Sequence, residues 1–581
     1  MTGGTHGPED IAHGLEGAAT LWELVTRRAA LTPDAPALLQ DTDGPAAGAN
    51  APAGAGSVPD SSSPPADGAP APDAGAAEGA TAPGVRQLTF GELRARAERT
   101  AAGLYELGVR PGSRVVWQLP TRIETVLLSV ALARLGAVQS PVIPYLRDRE
   151  VGFALREARA GFFAVPGRWR GFDHTAMAHR LTRGLPGPPL VLDLRTGLPE
   201  AAPSVLPPPP ANGTDVRWIY WTSGTTSDPK GVLHTDRSLI AGGSCLAGAL
   251  RLTPSDVGSV AFPFAHIGGP DYLVMMLLCG FPALLFEQFS LPGSLDAYRR
   301  HGVTVAGGST AFYTMFLAEQ RKDPGRRLLP ALRLLAGGGA PKPPELYHAV
   351  VAELGCELAH GYGMTEAPMI TMGSPEDTTE QLAGTEGRPP AGMEIRIVDA
   401  RGKPAAPGAE GEVRLRGEAV CRGYADPAVT AAAFDADGFL ITGDLGRLTA
   451  DGHLVLTGRL KDVIIRKGEN ISAREIEELL HGLAGVGDVA VIGLPDATRG
   501  ERVCAVVEQP DGAPPLTLEA VTGHLRNAGL AVHKLPEQLE LVAELPRNET
   551  LRKVLKYRLR ERFAGSLPAQ SSSGPAPGSS R

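Results

Sequence analysis

From about residue 113 to 362, short apolar runs alternate with stretches whose apolar positions recur at helical spacing. SRVVWQL (113–119) leads into RIETVLLSVALARLG (122–136), and VTVAGGS (303–309) leads into TAFYTMFLAEQR (310–321). GFFAVP, VRWIYWTS, GSVAFPF, FPALLFE and CELAHGYG are further apolar runs of strand length. Strand and helix alternating in this way predict an α/β fold, a large N-terminal body of α/β layers with largely parallel sheets. From 394 to 458 the pattern changes to short strands separated by glycine turns, as in GEVRLRG and GHLVLTGR, which predicts a β-rich subdomain on the same body. Beyond 461 the pattern predicts a small α+β unit: helix IEELLHGL, strands DVAVIGL and RVCAVVEQ, helix LEAVTGHLRN, and an amphipathic helix from about 551.

Composition modifies this picture at two places. Glycine and proline number 72 and 52 among 581 residues, about a fifth of the chain against a usual ~12%. Residues 44–84 hold part of that excess, with Val58 as their one large aliphatic side chain. Such a segment buries too little apolar area to offset its ordering entropy, so a disordered insertion within one domain is expected there. The tail at 565–581 has the same character, residues 1–19 read as a flexible start, and 203–215 reads as a stiff proline-rich linker.

A formal charge of -8 argues against nucleic acid as the main partner, because binding it needs a basic footprint. The five cysteines are odd in number and widely spaced, which fits buried thiols in a reducing compartment better than a disulfide framework. The beginning of the chain lacks the basic and apolar regions of a secretory signal. The longest uncharged apolar run, YLVMMLLCGFPALLF (272–286), is shorter than the ~18 residues of a membrane span. A cytoplasmic protein without a membrane span is expected.

The chemistry-bearing signal is YWTSGTTSDPKGVLHT (220–235). An apolar strand runs into Thr222, Ser223, Gly224, Thr225, Thr226 and Ser227, followed by Lys230. Hydroxyls, free backbone N–H groups and a lysine in one loop suit a polyphosphate. The Walker A pattern fails, because Pro229 stands where its second glycine belongs and Gly231 where its hydroxyl belongs. Four further segments follow in order: HGYGMTEAPM (360–369), with GGGAPKP (337–343) just upstream, ITGDLGRL (441–448), GRLKDVIIRKGENISAREIE (458–477), and LPRNETLRKVLKYRLRERF (545–563).

Together these segments resemble the adenylate-forming superfamily of acyl-CoA synthetases, aryl-acid ligases, nonribosomal adenylation domains and luciferase, over nearly everything from 20 to 562 apart from the insertion. The resemblance implies a body over 20–459 and a mobile C-terminal lid over 460–564. It implies ATP, Mg2+ and coenzyme A as cofactors or cosubstrates. The loop Thr222, Ser223, Gly224, Thr225, Thr226 and Lys230 would take the phosphates, with Ser227 standing where the family has glycine. Gly338, Gly339, Ala340, Tyr362 and Gly363 would line the nucleotide, Tyr362 against the adenine. Thr365 would contact a phosphate, and Glu366 would hold the magnesium. Asp444 would accept the ribose hydroxyls and Arg459 would meet the ribose or a phosphate. Lys461 would be the hinge between the domains, and Gly468 would open the loop lining the thiol channel.

For the adenylation lysine the family motif is irregular here. Counting from Pro546 selects Arg552, whereas matching the following helix selects Lys553, and Lys553 is preferred. His266, in FPFAHIGGPDY, falls where the family gates the carboxylate pocket; the same residue would also suit a satisfied core histidine. Phe264-Ala265-His266 offers no aspartate to pair a substrate ammonium, which points to a simple carboxylic acid.

The resemblance thus implies an ATP-dependent acyl-CoA synthetase for a fatty, cyclic or aromatic acid, closest to short- or medium-chain and cyclohexanecarboxylate ligases. Two alternatives stand beside it: an acyl- or aryl-acid AMP ligase that loads the phosphopantetheine of a carrier protein, and a catalytically weakened nucleotide- or acyl-binding regulator.

Overall fold

The computed structural model describes residues 15, 17–41, 84–222, 229–339, 342–466, 469–496, 500–510, 512–530, 532–547 and 553–564. The expected disordered insertion, save Gly84, and the tail from Gly565 lie outside the described residues. So do Ser223, Gly224, Thr225, Thr226, Ser227, Ala340, Gly468 and Arg552.

Three mainly parallel sheets build the body. One orders Gly258–Val260, Ala283–Leu285, Pro36–Asp41 and Val85–Thr89. A second orders Lys230–Thr235, Val216–Thr222, Val138–Pro141, Arg114–Trp117, Phe162–Val165 and Leu190–Asp193. The third orders Val305–Gly308, Leu334–Gly338, Glu357–Met364 and Ala367–Met372. Each has one antiparallel strand at its edge. A parallel connection needs a long crossover, but an antiparallel one closes with a tight reversal. Two of these antiparallel pairings flank nucleotide motifs read from the sequence: Thr222 pairs directly with Lys230, and Met364 pairs with Ala367 across the reversal at Thr365–Glu366. In the third, Asp41 pairs directly with Val85, so the chain leaves and re-enters one hairpin at a single point.

The sequence patterns explain the elements. The Ile123–Leu135 helix is apolar all round because every position except Glu124 is buried, and it stops at Gly136 in the left-handed region at φ 66°. The Phe90–Glu106 helix starts on a reciprocal cap between Thr89 and Glu92, and the Asp236–Leu250 helix on one between Thr235 and Ser238. The run 272–286 divides between the Gly268–Cys279 helix and the Ala283–Leu285 strand, with Gly280 turning at φ 79°. Among the described residues no helix is long and apolar enough to cross a membrane.

The fourth sheet, Met393–Val398, Gly411–Gly417, Leu440–Leu448 and Leu454–Arg459, is antiparallel throughout, as the glycine-turn pattern predicts. The short Leu460–Asp462 turn, which contains Lys461, joins it to the C-terminal unit. That unit packs the Ala473–Leu480 and Leu518–Asn527 helices on a sheet built around Asp488–Asp496 and Gly500–Glu508. It touches the body through Arg474, 3.4 Å from Glu386, and through Ser472, whose hydroxyl donates to the Thr457 carbonyl at 2.9 Å. One expectation is corrected: the last helix spans Lys556–Phe563 and does not begin near 551. Val554 instead bridges antiparallel to Arg547, and the Leu555 amide donates to the Pro546 carbonyl at 2.7 Å, so 553–555 folds back on 546–547 before the helix starts.

All five cysteines are unpaired; four are buried and Cys279 is half-buried. Burial pushes each of these thiols up to about 12.

Candidate active site

The two reversals are bound together by a segment that sequence reasoning passed over. Residues 422–425 run along the free edge of the Lys230–Thr235 strand: the Ala425 amide donates to the Gly231 carbonyl at 2.7 Å, and the Leu233 amide to the Gly423 carbonyl at 2.9 Å. This sets Tyr424 between the two motifs. Its hydroxyl donates to Oε1 of Glu366 at 2.7 Å, and the Lys230 ammonium stands 5.6 Å from its ring centroid, a cation–π distance. The Cys421 amide donates to the Glu366 carbonyl at 2.7 Å, so side chain and backbone of Glu366 are both fixed. Burial, with the Glu366 carboxylate next, raises the Tyr424 phenol and keeps it a donor. At the same end of that hairpin, the Thr222 hydroxyl donates to the Lys230 carbonyl at 3.5 Å.

Expected nucleotide residues from the third and fourth sheets meet here. Asp444 and Arg459 are cross-strand partners, joined by an ion pair of 2.7 Å, and the Tyr362 hydroxyl donates to the other carboxylate oxygen. A carboxylate offers about four lone-pair directions, so Asp444 can still accept from two hydroxyls. Tyr362 is buried and Arg459 remains nearly half exposed at 46%. The glycines have a second reason to be glycines. A side chain at Gly338 would lie 2.4 Å from the Gly361 carbonyl oxygen, and one at Gly363 would lie 2.1 Å from that of Pro368. Their small size is needed by the sheet itself. Gly339 adopts φ 86°, where a side chain would be strained.

On the third face lie His266 and Lys553. Thr121 anchors the histidine loop by donating to the Phe262 carbonyl at 3.0 Å and accepting from the Phe264 amide at 2.9 Å. Burial, with the Lys553 ammonium next, pushes His266 down to about 4, so its imidazole is neutral. Nδ1 accepts from the Gly268 amide at 3.3 Å, which leaves the proton on Nε2. Lys553, of the C-terminal unit, is thus close enough to act electrostatically on His266 of the body. Around this point a side chain at Gly308 would contact Phe312 at 3.4 Å and Phe262 at 3.6 Å, so two aromatic rings flank one side-chain-free position.

Among the described residues no three His, Cys, Asp or Glu side chains cluster as a metal cage. A single carboxylate, Glu366, with one oxygen already accepting from Tyr424, fits a magnesium ion that takes most of its ligands from phosphate oxygens and water.

The family model described as AMP-binding enzyme matches residues 68–425, and the model for the AMP-binding enzyme C-terminal domain matches 475–551. A salicyl-AMP ligase / salicyl-S-ArCP synthetase of Mycobacterium tuberculosis is 35% identical over 80% of this chain and 83% of its own length. The medium-chain fatty-acid–CoA ligase of Escherichia coli is 30% identical over 81% and 85%. Among solved structures, the O-succinylbenzoate coenzyme A synthetase from Bacillus subtilis, in complex with ATP and magnesium ion, superposes with TM-score 0.75 at 26% identity, covering 92% of this chain and 98% of that one.

Proposed function

We propose that this chain, which belongs to the AMP-binding enzyme family and is an adenylate-forming ligase acting on a carboxylic acid, activates a ring-bearing acid and passes it to the thiol of coenzyme A. Its fold is that of the acyl-CoA synthetases, a large α/β domain with a small C-terminal domain.

The observation that carries the acid class is that two rings, Phe262 and Phe312, stand close to the side-chain-free Gly308, with Phe262 also close to His266 across Gly268. Aromatic side chains beside a position without one of its own suit an aromatic or cyclic acid, which packs on rings in preferred geometries. A flexible fatty chain would gain less from such rings and lose more rotamer freedom.

In the proposed reaction the acid's carboxylate attacks the α-phosphorus of ATP and pyrophosphate leaves. Negative charge grows on the phosphoryl oxygens, and donors already in place lower that barrier. Lys230 and the 222–227 loop would hold the outgoing phosphates, and Thr365 would donate to one of them. Glu366 would hold the magnesium, which when bound neutralises charge on the phosphate oxygens. Tyr362, Asp444 and Arg459 would fix the adenosine. His266, neutral and protonated on Nε2, would donate to the acid, and Lys553 would bridge acid and phosphate. No protein nucleophile is required. For the second step Lys553 must leave the approach path of the thiol, and rotation about Lys461 would remove it while bringing Gly468 to the thiol channel.

A carrier-protein phosphopantetheine is the second reading of the acceptor, favoured by the 35% identical salicyl relative, whose name includes transfer to a carrier. The pairing of Glu366 with Tyr424 and of Asp444 with Arg459 supports a working enzyme over a weakened regulator. Five unpaired thiols support a cytoplasmic setting.

Pyrophosphate exchange with acetate, octanoate, cyclohexanecarboxylate and benzoates tests the acid class, followed by incubation with coenzyme A or a carrier protein. Exchange restricted to ring acids and product formation with coenzyme A are expected. Octanoate outperforming every ring acid would overturn the acid class, and transfer to a carrier alone would overturn the acceptor.

A further inference from the structure

We propose that His234 is a positioning residue for adenylation: its imidazole, protonated on Nε2, clamps the main chain of the Thr365–Glu366 turn to the strand that begins at Lys230. The proposal rests on the assignment of Lys230 and Glu366 to the phosphates and magnesium made above.

His234 lies on the Lys230–Thr235 strand and is completely buried. Its Nε2 is 2.7 Å from the carbonyl oxygen of Thr365, and its Nδ1 is 2.9 Å from the hydroxyl of Ser238. A carbonyl oxygen can only accept, so Nε2 carries the hydrogen. Burial holds the imidazole down to about 4, so the ring is neutral and Nδ1 accepts from Ser238. Ser238 is itself immobilised in the cap of the Asp236–Leu250 helix, where the Thr235 amide donates to its hydroxyl oxygen at 3.0 Å. Tyr220 meets the ring edge-on at 6.4 Å, which restrains its plane. Helix cap, imidazole and the turn before Glu366 therefore form one rigid line.

This clamp differs from the Tyr424 contact, which acts on the Glu366 carboxylate. His234 acts on the backbone one residue earlier, at Thr365. Losing it frees the turn to shift relative to Lys230, and a misplacement of about 1 Å in such a site costs about a hundredfold in rate. The separation matters only while ATP is bound between the two motifs.

The test uses the full-length enzyme, magnesium titrations of pyrophosphate exchange, and thiol transfer from chemically supplied acyl-adenylate. His234→Leu should lower the exchange rate about ten- to a hundredfold and raise the half-saturating magnesium concentration several-fold, with transfer from acyl-adenylate within about twofold of wild type. His234→Gln, whose amide nitrogen reaches the Nε2 position, should restore exchange; His234→Asn, equally polar but too short to reach Thr365, should not. The Gln/Asn contrast keeps the test decisive if the leucine variant does not fold. Equal exchange by the Gln and Asn variants, or equal loss in both half-reactions, would overturn the proposal. Glu366→Gln is the control for the reading beneath it. If that change abolishes exchange while all His234 variants behave as wild type, the clamp alone is wrong; if neither matters, the assignment of Glu366 fails too.

Discussion

Tyr424 donates its hydroxyl hydrogen to Oε1 of Glu366 across 2.7 Å, and the Lys230 ammonium faces the ring of the same tyrosine at 5.6 Å. One side chain thereby spaces Lys230 and Glu366, the groups proposed above to hold phosphate and magnesium. Tyr424→Phe keeps the ring and loses the hydrogen bond to a carboxylate, an interaction of about 1.5–3 kcal/mol. The expected result is a loss of about tenfold or more in pyrophosphate exchange with a higher magnesium requirement, and an unchanged magnesium titration would show that Glu366 is placed without it.

Lys553→Ala should reduce acid-dependent adenylation about 100- to 1,000-fold, as removal of one preorganised donor does, and spare thiol transfer from supplied acyl-adenylate. Arg552→Ala should do neither. The register that matches the following helix, with the Lys553 ammonium acting on His266, motivates this expectation. Exchange and transfer rates measured on the two variants decide it, and the reverse pattern would return the role to Arg552.

Asp444→Asn keeps the size of the side chain but exchanges one acceptor oxygen for a donor and removes the charge opposite Arg459. We expect the KM for ATP to rise about tenfold or more with a smaller change in kcat, because the ribose contacts are made in ground state and transition state alike. Replacing ATP by its 2′-deoxy analogue should cost the wild type far more than the variant. Equal losses in both would remove Asp444 from the ribose.

His266 is held near 4 in the folded protein and titrates near 6.5 when unfolded. The unfolded chain therefore binds the extra proton between those values, and stability rises with pH across that window. Its contribution is complete above about 6.5 and is lost as pH falls through about 4. Allowing for partial exposure, about 1–2 kcal/mol is at stake. Thermal unfolding of wild type and His266→Gln at pH 7.5 and 4.5 should show a smaller acid-induced fall in Tm for the variant. The adenylation rate of the wild type should show no limb near 6.5 from this group.

The sequence carried the sheets and the motif order because both are local. Apolar runs of four to eight residues fix strands, and phosphate loops need hydroxyls and glycine within a few positions. The choice between Lys553 and Arg552 rests on which side of the motif the register is counted from, and Arg552 lies outside the described residues. Tyr424 and His234 escaped notice for a different reason: each acts through a contact far along the chain, on Glu366 and Thr365, and neither lies in a spacing pattern of its own. The glycines were legible as points of close approach, but not as points where one strand crowds the next, as Gly338 does with Gly361. The last helix was placed too early because helical spacing alone cannot show that Val554 pairs with Arg547.

An acyl-adenylate is a mixed anhydride that any nearby thiolate would attack, and Cys421 is hydrogen-bonded through its amide to Glu366 itself. Burial pushes its thiol up to about 12, so the reactive anion is scarce at neutral pH. The remaining four cysteines are protected in the same way. The enzyme is thereby spared from acylating itself, and its activated acyl group survives until an outside thiol arrives to collect it.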